Sequence, residues 1–138
     1  MPTFRDEISI RTDERVQTID ITRHVADACR RSGIKDGIAL VFPHHTSSAV
    51  YISDSDRSLT GDFAKILAEL APENRNYAHD ETDYKKNAFG HIRANLAGHH
   101  IIIPVSDGKP DLGVYQTIYY AEFDGQREKE IVIKIVGE

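Results

Sequence analysis

Residues 100–136, HIIIPVSDGKPDLGVYQTIYYAEFDGQREKEIVIKIV, carry most of what the chain says about its fold. They read as three strands, about His100 to Val105, Leu112 to Phe123 and Glu130 to Val136. Between them stand Ser106-Asp107-Gly108-Lys109 and Asp124-Gly125. Asp-Gly pairs flanked by apolar runs are hairpin signals, so the expectation is an antiparallel terminal meander.

Working back from this tail, Asn87 to Ala97 reads as a short helix closed by Gly98. Phe89, Ile92 and Leu96 would form its apolar stripe, with Asn87, His91 and Asn95 on a separate polar face. Residues 73–86 are polar and lack periodicity, and a stretch of that length draws attention as a functional loop. The helix before them opens at Ser58 or Thr60 and ends at Pro72, with Leu59, Phe63, Ile66, Leu67 and Leu70 on one face. Ala49 to Ser53 and Gly37 to Phe42 read as strands, the latter buried on both faces. Thr22 caps a helix that Gly33 stops. Near the N-terminus, Ile8 and Ile10 alternate with polar residues and Val16 to Ile21 forms a second strand, with Thr12-Asp13-Glu14 suiting a hairpin. The reading is one α+β domain over residues 1–138, with about seven mostly antiparallel strands and two or three helices.

A formal charge of −5 argues against nucleic-acid binding, which needs a clustered basic surface. Arg30-Arg31 and Lys85-Lys86 are pairs and not a stripe. Cys29 is the only cysteine, so a reducing compartment fits, and its helical apolar setting suits an inert buried thiol. Residues 1–7 lack the apolar centre of a signal peptide, and runs such as Ile101 to Ile103 are too short to span a bilayer. A soluble, cytoplasmic protein with no membrane partner is expected.

Seven histidines stand out, in the sets 24, 44/45, 79, 91 and 99/100. Neutral imidazole is the commonest metal ligand, and three of them plus an open position describe a catalytic zinc site. Taken singly, each histidine reads first as a surface or hydrogen-bonded residue. If His44 and His45 are extended, only one can face a given site. Asp80, Glu81 and Asp83 read as a solvated loop or as groups orienting a ligating His79. Gln116 and Glu122 share a strand face with Ile118 and Tyr120. A carboxylate there needs an ion pair, with Arg93 or Lys109, or a role as a site acid or base. P-loop, dinucleotide-binding and nucleophile-elbow motifs are absent.

Several segments resemble the YjbQ-like family of small proteins. Phe42-Pro43-His44-His45-Thr46-Ser47-Ser48-Ala49 is similar to that family's "xxHTSA" segment, and Asn87-Ala88-Phe89-Gly90-His91-Ile92 to its "NAxAHL". Leu96-Ala97-Gly98 resembles its "LLG". Ile103 to Tyr119 resembles "IPVxxGxLxLGTWQxIY", and Glu122-Phe123-Asp124-Gly125 resembles "CEFDG". The chain departs at Val114 and Tyr115, where the family has Thr-Trp, and at Asp54, where it has Glu.

The resemblance implies a sandwich-like arrangement of the strands and a homotrimer. It also implies a secondary thiamine-phosphate-synthase activity on small-molecule substrates, in which a hydroxymethylpyrimidine diphosphate condenses with a thiazole phosphate and releases pyrophosphate. His45, His79 and His91 would hold a divalent metal, with zinc best suited to imidazole. Arg93 would offset charge on the departing diphosphate, Glu122 would serve as base or orient the pyrimidine, and Gln116 would hydrogen-bond the substrate. A zinc-dependent hydrolase and a non-catalytic trimeric metal- or ligand-binding protein are the competing readings.

Overall fold

Alternation at Ile8 and Ile10 builds β1 (Thr3–Arg11), whose buried side chains face the core while their neighbours face solvent. β2 (Gln17–Asp20), β3 (Asp36–Pro43) and β4 (Ser48–Asp54) follow, with α1 (Thr22–Ser32) between β2 and β3. α2 (Arg57–Leu70), α3 (Ala78–Thr82) and α4 (Ala88–Ala97) come next. β5 (Ile101–Ser106), β6 (Lys109–Pro110), β7 (Gln116–Glu122) and β8 (Glu128–Gly137) complete the chain. These elements come from a computed structural model that describes residues 1–138.

The fold is α+β, with two antiparallel sheets ordered β1-β8-β3-β5-β6 and β2-β7-β4. A core of 17 buried residues lies between the sheets and α1, and includes Ile21, Val25, Val41, Val50, Ile118, Tyr120, Ile131 and Ile133. The opposite face of the small sheet, Ala49, Ala121 and Phe123, packs under Leu67 of α2 and Ala94 of α4. Cys29 is buried, and burial pushes its thiol pKa up. No helix is long and apolar enough to cross a membrane.

The terminal strands do not form the expected meander. β5 pairs with β3, β7 lies in the other sheet, and β8 runs between β1 and β3. Only the Ser106–Lys109 turn makes a hairpin, onto two-residue β6, with Asp107 and Gly108 both at positive φ as a tight reversal demands. Asp124-Gly125 instead carries the chain from one sheet to the other. Residues 12–16 do the same, so the expected β1–β2 hairpin is also absent.

These two crossings run side by side. Arg11 pairs with Glu128 on one side and Gln17 with Glu122 on the other, so β1–β2 and β7–β8 form one long antiparallel ribbon bent across both sheets. Gly125 N–H donates to Arg15 O at 2.8 Å, and Gln126 N–H to Thr12 Oγ1 at 3.1 Å. A Cβ on Gly125 would lie 2.0 Å from Thr12 Oγ1, so the ribbon's strands approach too closely there for a side chain. β3 and β4 cross beside them at residues 44–47, with Pro43 opposite Ile131 and Ser48 opposite Glu122. Strands that switch sheets at a bend make the corner of a sandwich.

Other boundaries shift for local reasons. Asp56 caps α2, accepting from Ser58 N–H at 3.0 Å and Ser58 Oγ at 2.8 Å, ahead of the expected Ser58 or Thr60. Thr22 opens α1, but its hydroxyl accepts from Ile118 N–H and so ties the helix to β7. α1 does stop at Gly33, with φ of 71°. β3 buries one face only, Ala39 and Val41, and leaves Ile38 exposed. On α2 only Leu67 is fully buried, while Leu59, Ile66 and Leu70 stay exposed. α4 buries Ala88, Phe89, Gly90, Arg93 and Ala94, so its inner face is rotated from the stripe through Ile92 and Leu96.

Candidate functional site

The three-strand corner and the segment from α3 into α4 enclose a cavity of about 470 Å³ with no hydrophobic residue in its lining. His44, His45, Thr46 and Ser47 come from the β3–β4 crossing. Arg127, Glu128 and Lys129 come from the β7–β8 crossing and the start of β8, and Asp83, Lys85, Asn87 and His91 from the helical side. Both members of the His44-His45 pair reach it, contrary to the alternation rule, because β3 ends at Pro43 and the rule ends with it.

His79 and His91 stand together, ring centroids 5.1 Å apart and nearly perpendicular. Their Nε2 atoms converge on one oxygen, Asn87 Oδ1, at 3.0 and 3.1 Å. The amide cannot turn the other way, because its Nδ2 donates to Asp124 Oδ2 at 2.9 Å. His79 Nε2 also lies 3.1 Å from Asp83 Oδ2, so one Nε2–H serves both oxygens. His91 Nδ1 lies 3.0 Å from Thr46 O, a carbonyl that can only accept, so the ring proton of a neutral His91 sits on Nδ1. Its Nε2 lone pair then faces an acceptor oxygen. That arrangement is satisfied by a second proton or by a cation at Nε2.

His91 lines the corner cavity, whereas His79 lines a neighbouring one that shares Thr46 and His91; His45 lines the corner cavity but is turned elsewhere. Its Nε2 accepts from Glu130 N–H at 2.9 Å, and His44 N–H donates to Glu130 O at 3.1 Å. The imidazole thus extends the β3–β8 ladder by one rung past Pro43. Burial, reinforced by the Lys129 charge, holds the His45 pKa below the ordinary histidine value. No group of three or more His, Cys, Asp or Glu side chains is gathered in a metal-holding arrangement. The fit to a metal ion therefore rests on His79 and His91, with Asp83 the nearest carboxylate. His91 has its Nδ1 anchored on a backbone carbonyl, as ligating histidines commonly do.

Glu122 lies under the cavity with no solvent exposure. Its partner is neither Arg93 nor Lys109 but Lys129, whose Nζ donates to both carboxylate oxygens at 3.1 Å. Tyr120 Oη donates to Oε1 at 2.7 Å and Asp124 N–H to Oε2 at 3.1 Å. Burial and the neighbouring carboxylate together push the Tyr120 pKa far up, so this phenol remains a donor. Arg93 is buried away from the cavity, its Nε donating to Ala71 O at 2.9 Å and its guanidinium 4.7 Å from the Phe89 ring centroid. Burial lowers its pKa. Gln116 stands at the far end of β7 from Glu122, about 20 Å along the strand. Its Oε1 accepts from Gly113 N–H at 2.7 Å, and it pairs with Asp54 across the ladder. The departures at Asp54, Val114 and Tyr115 cluster at that far end; Tyr115 O accepts from Ser55 N–H, and the Val114 and Tyr115 side chains are exposed.

Asp124 is nearly buried and gathers Asn87, Arg15 Nε at 3.1 Å and Arg127 Nη2 at 3.1 Å. Burial acts to raise its pKa, but the Asn87 and Arg15 hydrogen bonds and the two guanidinium charges outweigh it and hold the carboxyl low. Lys129, Ser47 and Asp124 did not emerge as site residues from sequence reasoning. A signal for Lys129 was present: it shares the period-two face of Ile131, Ile133 and Ile135, where a lysine is as out of place as Glu122 is beside Ile118 and Tyr120.

Comparison with known proteins agrees with the motifs at this corner. A UPF0047 protein of Methanothermobacter thermautotrophicus is 37% identical over 138 residues, covering 100% of this chain and 95% of that one. A solved YbjQ-like protein of unknown function from Sulfolobus solfataricus P2 superposes with a TM-score of 0.94 at 33% identity, covering 99% of each chain. An uncharacterized conserved protein of the yjbq/upf0047 family from Clostridium acetobutylicum gives a TM-score of 0.87 at 37% identity, covering 95% of this chain and 99% of that one. The family model described as "UPF0047 protein YjbQ-like" matches residues 6–138, and the chain belongs to that family.

Proposed function

We propose that the corner cavity is the active site of a zinc-dependent enzyme acting on a phosphorylated small molecule, through a condensation of the thiamine-phosphate-synthase type. The observation that carries the metal is the convergence of His79 and His91 Nε2 on a single oxygen, with a neutral His91 lacking a proton for it. Imidazole nitrogen favours zinc over magnesium, which takes oxygen ligands. The all-polar lining, in which Lys85, Arg127 and Lys129 outnumber Asp83 and Glu128, supports an anionic substrate. The condensation itself is supported by the family motifs.

His91 Nε2 and His79 Nε2, the latter with its proton moved to Nδ1, would hold a zinc ion, which would supply positive charge to offset that of a substrate phosphate. In the condensation a C–N bond forms from the thiazole nitrogen as the C–O bond to the diphosphate breaks, and no proton need move. The chain's task is accordingly to bind and orient charge. Lys85 and Arg127 at the rim and Lys129 at the floor face the departing anion. His45, held neutral, completes the wall.

Assembly as a homotrimer belongs to the same proposal. Two unlike apolar faces support it: Leu59, Ile66 and Leu70 of α2 with Leu96 of α4, and Ile38 with Ile102 on the outer side of the large sheet. A patch that pairs with a different patch on a second copy generates a closed ring when the rotation between copies closes.

Elemental analysis of tag-free protein beside His91→Ala tests the metal, and pyrophosphate release from hydroxymethylpyrimidine diphosphate plus thiazole phosphate tests the reaction. About one zinc per chain, lost in the variant, supports the site. No stoichiometric zinc after metal-supplemented growth overturns it. Bound zinc without pyrophosphate release, but with phosphoester hydrolysis, would replace the condensation with a hydrolase.

A further inference from the structure

The geometry points to Lys129 as the residue that grips the substrate's anionic oxygen at the cavity floor, with Glu122 as the positioning residue that presents it. This inference rests on reading the cavity as a phosphate site.

Lys129 is 4% exposed yet lines the cavity, whereas the other two cations are exposed rim residues. Of those two, Arg127 is already committed to Asp124 through the backbone oxygen at 3.0 Å and Oδ2 at 3.1 Å. Burial leaves the fields of the ammonium and of its partner Glu122 equally unscreened, so the pull on an anion is exerted by direct contact with Nζ.

Glu122, by contrast, has no free capacity. Its oxygens accept from Lys129 twice, from Tyr120 and from Asp124 N–H, and it has no solvent exposure. A carboxylate so occupied cannot take a proton from substrate without losing the bonds that hold Lys129. It acts through the lysine.

Two of the three Lys129 protons are directed to Glu122, one to each oxygen. The third is aimed at Ser47 Oγ over a long 3.4 Å, and Ser47 Oγ in turn is 3.5 Å from Glu122 Oε2. Those two weak contacts are the ones an incoming phosphate oxygen would replace, with the Ser47 hydroxyl turning to donate. A purely structural pair has no need to face a polar cavity.

The test is calorimetric titration of inorganic pyrophosphate into the purified protein, with zinc content measured on each sample. Lys129→Met should weaken binding by about tenfold or more, with zinc unchanged, and Lys129→Arg should restore most of it. Folded Lys129→Met with wild-type affinity overturns the assignment while leaving the phosphate reading intact. If that variant does not fold, the Lys129 ¹³Cε resonance of the wild-type protein decides. A shift on adding pyrophosphate supports the role, and no shift while other cavity resonances move overturns it. Wild-type protein that retains zinc but binds no pyrophosphate removes the phosphate reading and this inference with it.

Discussion

Asp124 holds the amide of Asn87 at 2.9 Å, and that bond decides which atom of Asn87 meets the histidine pair. Because the carboxylate accepts from Nδ2, Oδ1 is left facing both His79 and His91. A residue on the β7–β8 crossing thus sets the hydrogen-bonding of two imidazoles on the helical side.

Replacing Asp124 with Ala frees the amide to turn and leaves Arg15 and Arg127 without their shared carboxylate. Zinc affinity, measured by competition with a chromophoric chelator, should fall about 10–100-fold, the usual cost of losing a group that orients metal ligands. Unchanged affinity in folded protein would show that the amide orientation is immaterial to the metal.

Glu122→Gln leaves Lys129 with a neutral partner at a site with no solvent exposure for residue 122. A loss of about 3–5 kcal/mol in urea unfolding is expected, because breaking a buried pair strands one charge. The double variant Glu122→Leu with Lys129→Met should lose less than Glu122→Leu and Lys129→Met measured singly and summed. Additive losses would mean that the two side chains do not depend on each other.

In zinc-free protein, His45 should make stability fall as the solution is acidified below neutrality. Its folded-state pKa is depressed by burial and by Lys129, while the unfolded chain has the ordinary value of about 6.5. The contribution is complete above that value and is lost as pH falls toward the folded pKa, since the unfolded chain binds the proton first. Protonation also removes the acceptor that Glu130 N–H uses. The melting temperature of wild type should fall relative to that of His45→Gln, whose amide oxygen can still accept, as pH drops through this window. Parallel curves would contradict the assignment.

Ile66→Lys and Ile38→Lys place a charge on each of the two exposed apolar faces. Wild-type protein should sediment at about three times 15.5 kDa and each variant as a smaller species, since a heterologous ring fails when either patch is spoiled. Wild-type sedimentation as a monomer would end the trimer proposal.

What the sequence determined by itself is local or carried by periodicity. Gly33 at positive φ ends α1, the alternations around Ile8 and Ile131 put those residues in the core, and the His-Thr-Ser-Ser and Asn-Ala-Phe-Gly-His segments mark the family. Only the tertiary structure decided that Thr12-Asp13-Glu14 and Asp124-Gly125 are corners and not hairpins. Asp and Gly relax the backbone in either case, and the choice between reversal and crossing is made by pairing partners more than a hundred residues away, such as Arg11 with Glu128. The site shows the same division. Glu122 declared itself as a misplaced charge, but its partner could be named only once the corner brought β8 alongside β7's end. His91 meets Asn87 by the i, i+4 spacing that the sequence shows, but His79 and Asp124 reach it from separate elements, and packing of the helices against the bent ribbon creates that meeting.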